Sequence, residues 1–222
     1  MFHGNDEHYF TCGESALRVV SAALDLAEME MPRRILDFGA GAGRVTRWFK
    51  ARFPKSEIHA CDIREQDIGF LRATLGVDAW VVPPEPTKLV LTSQYDLIWV
   101  GSVITHLPVA STQQLIEKLL LACNPNALIV LSFHGRYAIN RHENTQFKYL
   151  HGTGWRKIKL GYLLTGYGYA NYQGQSGYGI SVITPQRMMR VVRALPIKSR
   201  LILLSERAWD GHHDVIAIQK TE

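Results

Sequence analysis

The chain has 222 residues, of which 46% are apolar and 20% charged, and a formal net charge of +5. Those values suit one globular α/β domain, with an insertion at most, and exclude a low-complexity or disordered chain. No apolar stretch approaches the ~20 residues needed to span a bilayer. The opening MFHGNDEHYFTCG also lacks a basic segment followed by an apolar run. A cytoplasmic protein with no membrane span is therefore expected.

The basic residues are dispersed, from Arg33, Arg34, Arg44 and Arg47 to Arg187, Arg190 and Arg193, with no block of like charge. Such an excess is a weak sign of nucleic acid. Cys12, Cys61 and Cys123 lie far apart with no C-x-x-C pair. They read as buried thiols, not as a disulfide framework or a zinc site.

Thr11 and Glu14 have capping-box spacing, and Leu17, Val20, Leu24 and Ala27 recur at helical spacing, so a helix is predicted over 14–30. RRILDF (33–38) reads as a buried strand entering a glycine-rich turn, followed by a helix over 43–53. EIHACD (57–62) is a second strand, 65–75 a helix, and DAWVV (78–82) a third strand stopped by Pro83-Pro84. YDLIWVG (95–101) is a fourth. Ser111 and Gln114 have capping spacing before another helix, and ALIVLSF (127–133) is a fifth strand. The alternation of strands and helices predicts a mostly parallel sheet covered on both faces, and the uniformly apolar strands agree.

The pattern breaks over 134–183, which reads as an insertion. It resumes at Thr184-Pro185, an N-cap followed by proline at the first helical position. RLILLSE (200–206) and HDVIAIQ (213–219) are joined by a short loop, so the last strand is expected to run against the others.

The first strand leads into Asp37-Phe38-Gly39-Ala40-Gly41-Ala42-Gly43-Arg44. A strand, a glycine turn and a helix N-terminus in that order make a nucleotide site. Nineteen residues past Gly43, Asp62 ends the second strand, where a carboxylate can accept ribose hydroxyls. A dinucleotide fingerprint, G-x-G-x-x-G/A, would place a small residue where Arg44 stands. The motif present is D-x-G-x-G-x-G, whose leading carboxylate repels a pyrophosphate and suits a cationic amine.

Across nearly its whole length the chain resembles the class I S-adenosylmethionine-dependent methyltransferases. LDFGAGAGR, ACD, YDLIWVGSVITHL and the two closing strands carry the likeness. It implies a Rossmann-like, seven-stranded sheet with the last strand antiparallel, and S-adenosylmethionine as cofactor, leaving as S-adenosylhomocysteine. It places Asp37 at the methionine amino group, with Gly39, Ala40 and Gly41 beneath the cofactor and Asp62 at the ribose. Phe38, Gly43, Arg44, Ile63, Gly101 and Ser102 complete the cofactor set. The family's acidic residue after strand three is replaced here by Val81-Val82-Pro83-Pro84, so backbone groups and apolar contact are left to hold adenine. Metal-dependent members of the family place a carboxylate at the exit of strand four; Gly101-Ser102-Val103-Ile104 has none, so no metal is expected.

Within the family the chain is most similar to bacterial methyltransferases associated with glycan synthesis, through HYF (8–10), GSVITHL (101–107), SFHGR (132–136), YGISVITP (178–185) and AWDGHHDV (208–215). That implies a sugar or glycan hydroxyl as acceptor. A small secondary metabolite is the alternative acceptor, and a catalytically silent, partner-binding fold is the reading outside enzymes. His106, His134 and His213 are the candidate bases, each expected at the carboxyl edge of the sheet, where ligands bind. Residues 1–32 are expected to cover the cofactor and 134–183 the acceptor. In the latter, GYGYANYQGQSGYG (166–179) reads as a mobile lid that offers Tyr167, Tyr169, Tyr172 and Tyr178 to sugar faces.

Overall fold

The structure is a computed structural model that describes residues 6–221. Residues 1–5 of the expected N-terminal covering segment lie outside the described residues. Helix α1 (Asp6–Leu26) precedes strand β1 (Arg34–Phe38), α2 (Thr46–Arg52), β2 (Glu57–Asp62), α3 (Glu65–Phe70) and β3 (Asp78–Val81). Then come β4 (Tyr95–Val100), α4 (Val109–Leu121), β5 (Cys123–Phe133), α5 (Arg136–Asn144) and α6 (Thr153–Thr165). The chain closes with β6 (Tyr167–Asn171), β7 (Gly179–Ile183), α7 (Pro185–Arg193), β8 (Ser199–Trp209) and β9 (His213–Lys220).

The seven expected strands form one sheet in the order β3-β2-β1-β4-β5-β9-β8, with β9 antiparallel to its neighbours. The strand order reverses between β1 and β4, and at such a switch point a crevice opens at the carboxyl edge. Register decides what reaches it. Phe38 pairs with Cys61 and with Val100, so the ends of β1, β2 and β4 stand level. Phe133 pairs with Asp214 across the antiparallel β5–β9 seam. The next pair outward, His134 and His213, therefore meets at that same edge.

Both sheet faces are covered, so the strands have no polar side. Leu36, Phe38, Ile98, Val100, Ile129 and Leu131 pack on one face with α4 and α7. Ile35, Leu97, Trp99, Leu128 and Val130 pack on the other with α1 and α2. Each such aliphatic side chain contributes about 1.5–3 kcal/mol by leaving water. That drive explains why all three cysteines are buried thiols.

Three predicted helix starts move, that of α2 from residue 43 to Thr46. Thr11 lies inside α1, its hydroxyl donating to the Glu7 carbonyl, so the capping-box spacing marks no terminus. Helix α4 begins at Val109 after Pro108, not at Ser111. The Thr184 cap is as expected, its Oγ1 accepting from Arg187 N at 3.2 Å.

The largest revision concerns 166–179. The stretch folds into the antiparallel β6–β7 hairpin, and its glycines do not make it a mobile loop. A Cβ on Gly168 would lie 1.9 Å from the Ile158 carbonyl oxygen, and one on Gly179 2.0 Å from that of Ala170. These glycines permit close packing. Gly174 and Gly177, with φ of +74°, make the tip. The hairpin shares with α5 and α6 a small core of Ala138, Trp155, Ile158, Ala170, Ile180 and Val182.

Gly43 joins the nucleotide turn to this packing. Its φ is +76°, and a Cβ there would meet Leu75 at 2.6 Å and Leu71 at 2.8 Å, in the π-helical turn (71–75) that extends α3. Gly43→Ala should lower unfolding stability by about 2–4 kcal/mol through overpacking and left-handed strain. Chemical denaturation checks this, and an unchanged midpoint would contradict it.

Candidate active site

The turn after β1 is held from three sides. The Gly39 and Ala40 amides donate to the Cys61 carbonyl at 2.8 and 3.0 Å. Asp62 Oδ2 accepts from the Gly41 amide at 2.8 Å, while its Oδ1 accepts from the Arg64 amide at 3.0 Å. From above, the Tyr9 hydroxyl donates to the Ala42 carbonyl at 2.7 Å and accepts from Arg47 Nη2 at 2.8 Å. Gly39 and Gly41 both have positive φ, a conformation costly for any residue with a Cβ.

Asp37 lies under this turn, 1% exposed. Thr46 Oγ1 donates to its Oδ2 at 2.6 Å. Burial, with a smaller push from Asp62, raises the carboxyl to about 7. Among the described residues it has no cationic partner. A buried carboxyl in that condition is poised to accept a cation brought by a ligand.

Two adjoining cavities run along the carboxyl edge. One, of about 490 Å³, is lined by Asp37, Gly41, Arg44, Trp99 and Trp209, with Tyr9 over it. The other, of about 350 Å³, is lined by Asp62, Ile63, Val82, Pro83, His106 and Tyr178. Gly39, Arg64, Gly101 and Ser102 border both, so the two form one groove across the switch point. A chamber of mixed polarity over a carboxyl, joined to a mainly apolar one beside a second carboxyl, fits the ammonium, ribose and base of an adenosyl amino acid. A larger cleft of about 840 Å³ lies at the opposite, amino edge of the sheet and contains none of these groups. Its Asp96 is already engaged by the Arg33 and Arg34 amides and by Asn124.

Residues 36–129, from β1 to β5, match the family described as "Methyltransferase domain". The matched segment carries the glycine turn, Asp62 and His106. Solved structures share its fold at low identity. A methyltransferase from Clostridium acetobutylicum is 8% identical, with a TM-score of 0.64 over 94% of this chain and 92% of that one. An amino pentose methyltransferase of calicheamicin biosynthesis from Micromonospora echinaspora is 14% identical, with a TM-score of 0.60 over 95% and 92%. The 1,6-didemethyltoxoflavin N1-methyltransferase of Burkholderia thailandensis is 17% identical, with a TM-score of 0.59 over 96% and 80%. No curated protein sequence matches the chain significantly.

Around the groove the three expected histidines divide into two groups. His106 lines the cavity wall. Its Nδ1 lies 2.9 Å from the Gly179 carbonyl, which fixes the proton there and leaves the lone pair on Nε2. Burial lowers its basicity. His134 and His213 stand behind, their rings stacked at 5.0 Å, and His213 stacks in turn on Trp209 of the cavity wall at 4.8 Å. Burial, with neighbouring histidines, lowers His134 to about 3 and His213 well below the usual imidazole range.

His212 joins this group unforeseen. The ring nitrogens of His134, His212 and His213 lie within 4.8 Å of one another, a spacing that could hold a metal ion. His212 Nδ1, however, meets the Arg141 guanidinium and its Nε2 lies 2.6 Å from the Tyr149 hydroxyl. A permanent cation therefore already sits against the cluster.

The four tyrosines also divide. Tyr178 lines the groove with its ring 5.0 Å from that of His106, and the Tyr172 hydroxyl lies 3.2 Å from His106 Nδ1. Tyr167 packs against the main core and donates its hydroxyl to the Leu107 carbonyl at 2.7 Å. Tyr169 donates to Asn171 Oδ1 at 2.6 Å. Alternation along β6 and the hydroxyl commitments keep Tyr167 and Tyr169 off the groove wall, contrary to the sequence expectation. The sequence reading also missed Thr46, Trp99, Trp209 and the Tyr9 hydroxyl bond. Thr46 alone left a signal, as the first hydroxyl after the turn.

With a folded value near 7 against an ordinary 3.8, Asp37 costs no stability below about pH 4, and the cost grows as pH rises towards 7. In ligand-free protein, Asp37→Asn should match wild type near pH 4 and exceed it by about 2–4 kcal/mol at pH 7.5. Denaturant melts at the two pH values measure this. A pH-independent difference would contradict the assignment.

Proposed function

We propose that the protein methylates a hydroxyl of a sugar or glycan acceptor in the cytoplasm, with His106 as general base. The observation that carries this reading is the frame at the groove mouth. Tyr172 and Tyr178 flank His106, whose Nδ1 proton is tied to the Gly179 carbonyl. Aromatic faces suit the apolar faces of sugar rings, and tyrosine hydroxyls suit their polar rims.

Asp37 would hold the cofactor's ammonium group and Asp62 its ribose hydroxyls, with Gly39 and Gly41 beneath. Ile63, Val82 and Pro83 offer adenine an apolar wall in place of a side-chain reader. The cofactor supplies an electrophilic methyl group on a sulfonium, so positioning accounts for much of the rate. His106 Nε2 takes the hydroxyl proton. His134 and His213 are too weakly basic for that task. They serve as the wall behind Trp209, fixing the groove's shape. Residues 6–32 cover the cofactor side through Tyr9, and 134–183 cover the acceptor side through the hairpin.

A flat heterocycle is the second acceptor class, since the same tyrosine frame could stack one and the structurally similar Burkholderia thailandensis protein is a 1,6-didemethyltoxoflavin N1-methyltransferase. Transfer of labelled methyl into sugar nucleotides and oligosaccharides, set against aromatic heterocycles, separates the two. Label in the sugars is expected, and label confined to heterocycles would overturn the glycan reading. With the acceptor in hand, His106→Ala should lower kcat by about 10²–10⁴-fold while KM for the cofactor stays unchanged. An unaltered kcat would reject His106 as the base.

A further inference from the structure

Helix α6 is apolar on two faces. Trp155 and Ile158 turn into the insertion core, with Tyr162 one turn further along the same side. On the other side Arg156, Lys157, Leu160, Leu163 and Leu164 are all exposed, the leucines by 58%, 68% and 74%. Spacings of three, four and seven residues put these five side chains on one continuous surface. Among the described residues no other helix exposes three large apolar side chains together.

We infer that this face of α6 docks on an anionic membrane surface. The charges on the helix decide between occupants. Thr153–Thr165 contains no aspartate or glutamate. Lys159 is matched by Glu143 of α5, but among the described residues Arg156 and Lys157 make no ion pair. A second copy of the face would bring basic groups and leucines against basic groups and leucines, with no carboxylate to meet them. An anionic bilayer satisfies both parts, taking leucines at the acyl boundary and guanidinium and ammonium groups at lipid phosphates. No described helix is long and apolar enough to cross a membrane, so the contact lies on the surface. Three leucines and two charges give reversible, salt-sensitive attachment. The helix packs on the β6–β7 hairpin, so docking would hold the groove's acceptor side near the bilayer. The inference does not depend on the acceptor's identity.

Sedimentation of the full chain with vesicles tests it. Vesicles of phosphatidylcholine with phosphatidylglycerol should carry the protein down at low salt, and phosphatidylcholine alone should not. Changing Leu160, Leu163 and Leu164 together to glutamine should weaken binding by about tenfold or more, and Arg156→Gln with Lys157→Gln should remove its salt dependence. Both variants should keep the wild-type melting temperature and cofactor affinity. If the triple variant fails to fold, tryptophan emission from Leu164→Trp gives the second readout, a blue shift on anionic vesicles being expected. The inference is overturned by wild-type protein that stays in solution with anionic vesicles, or by an unshifted Leu164→Trp. It is also overturned if vesicle-free protein is a dimer that the leucine changes dissociate, because the face is then a self-interface.

Discussion

The organising constraint of the site is one carboxyl group buried where water cannot compensate it. Asp37 lies in the apolar run of β1, and among the described residues only Thr46 hydrogen-bonds it. A carboxyl so placed stays half-neutral near pH 7 and would be a liability in a merely structural turn. The glycine turn, the Gly41–Asp62 hydrogen bond and the Tyr9 clamp hold the backbone open around it. A ligand with an ammonium group can then reach a carboxyl that no side-chain cation among the described residues already neutralises.

The rest of the sheet brings other chemistry to that point by register. Parallel pairing aligns the ends of β1, β2 and β4, and antiparallel pairing brings His134 to His213. The hairpin from the insertion then closes the far side. Its His106–Gly179 and His134–Ser181 contacts tie it to the ends of β4 and β5, so that side of the groove is built on strands. Such a frame loses little entropy when an acceptor orders against it.

Local chemistry made much of this legible in the sequence. D-x-G-x-G-x-G and Asp62 are contiguous signals, and the apolar strands needed no tertiary knowledge to be placed. The reversed last strand followed from a loop too short for a crossover. The 166–179 stretch was misread because a glycine that allows motion and a glycine that allows close packing look alike in sequence. Only the Ile158 and Ala170 carbonyls tell them apart. Tyr167 failed for a related reason, since strand alternation, invisible until β6 was known, turns its ring into the core. His212 and Arg141 meet across 71 residues, a separation that leaves no pattern in the chain.

Calorimetric titration of S-adenosylmethionine at pH 6, in two buffers of different ionisation heat, tests the central claim most directly. If Asp37 awaits the cofactor's ammonium group, binding must ionise a carboxyl that is mostly protonated at that pH. The observed heat should then differ between buffers by the equivalent of nearly one released proton, and the difference should vanish in Asp37→Asn. Binding with no proton release, or no binding by the wild-type protein, would contradict the account.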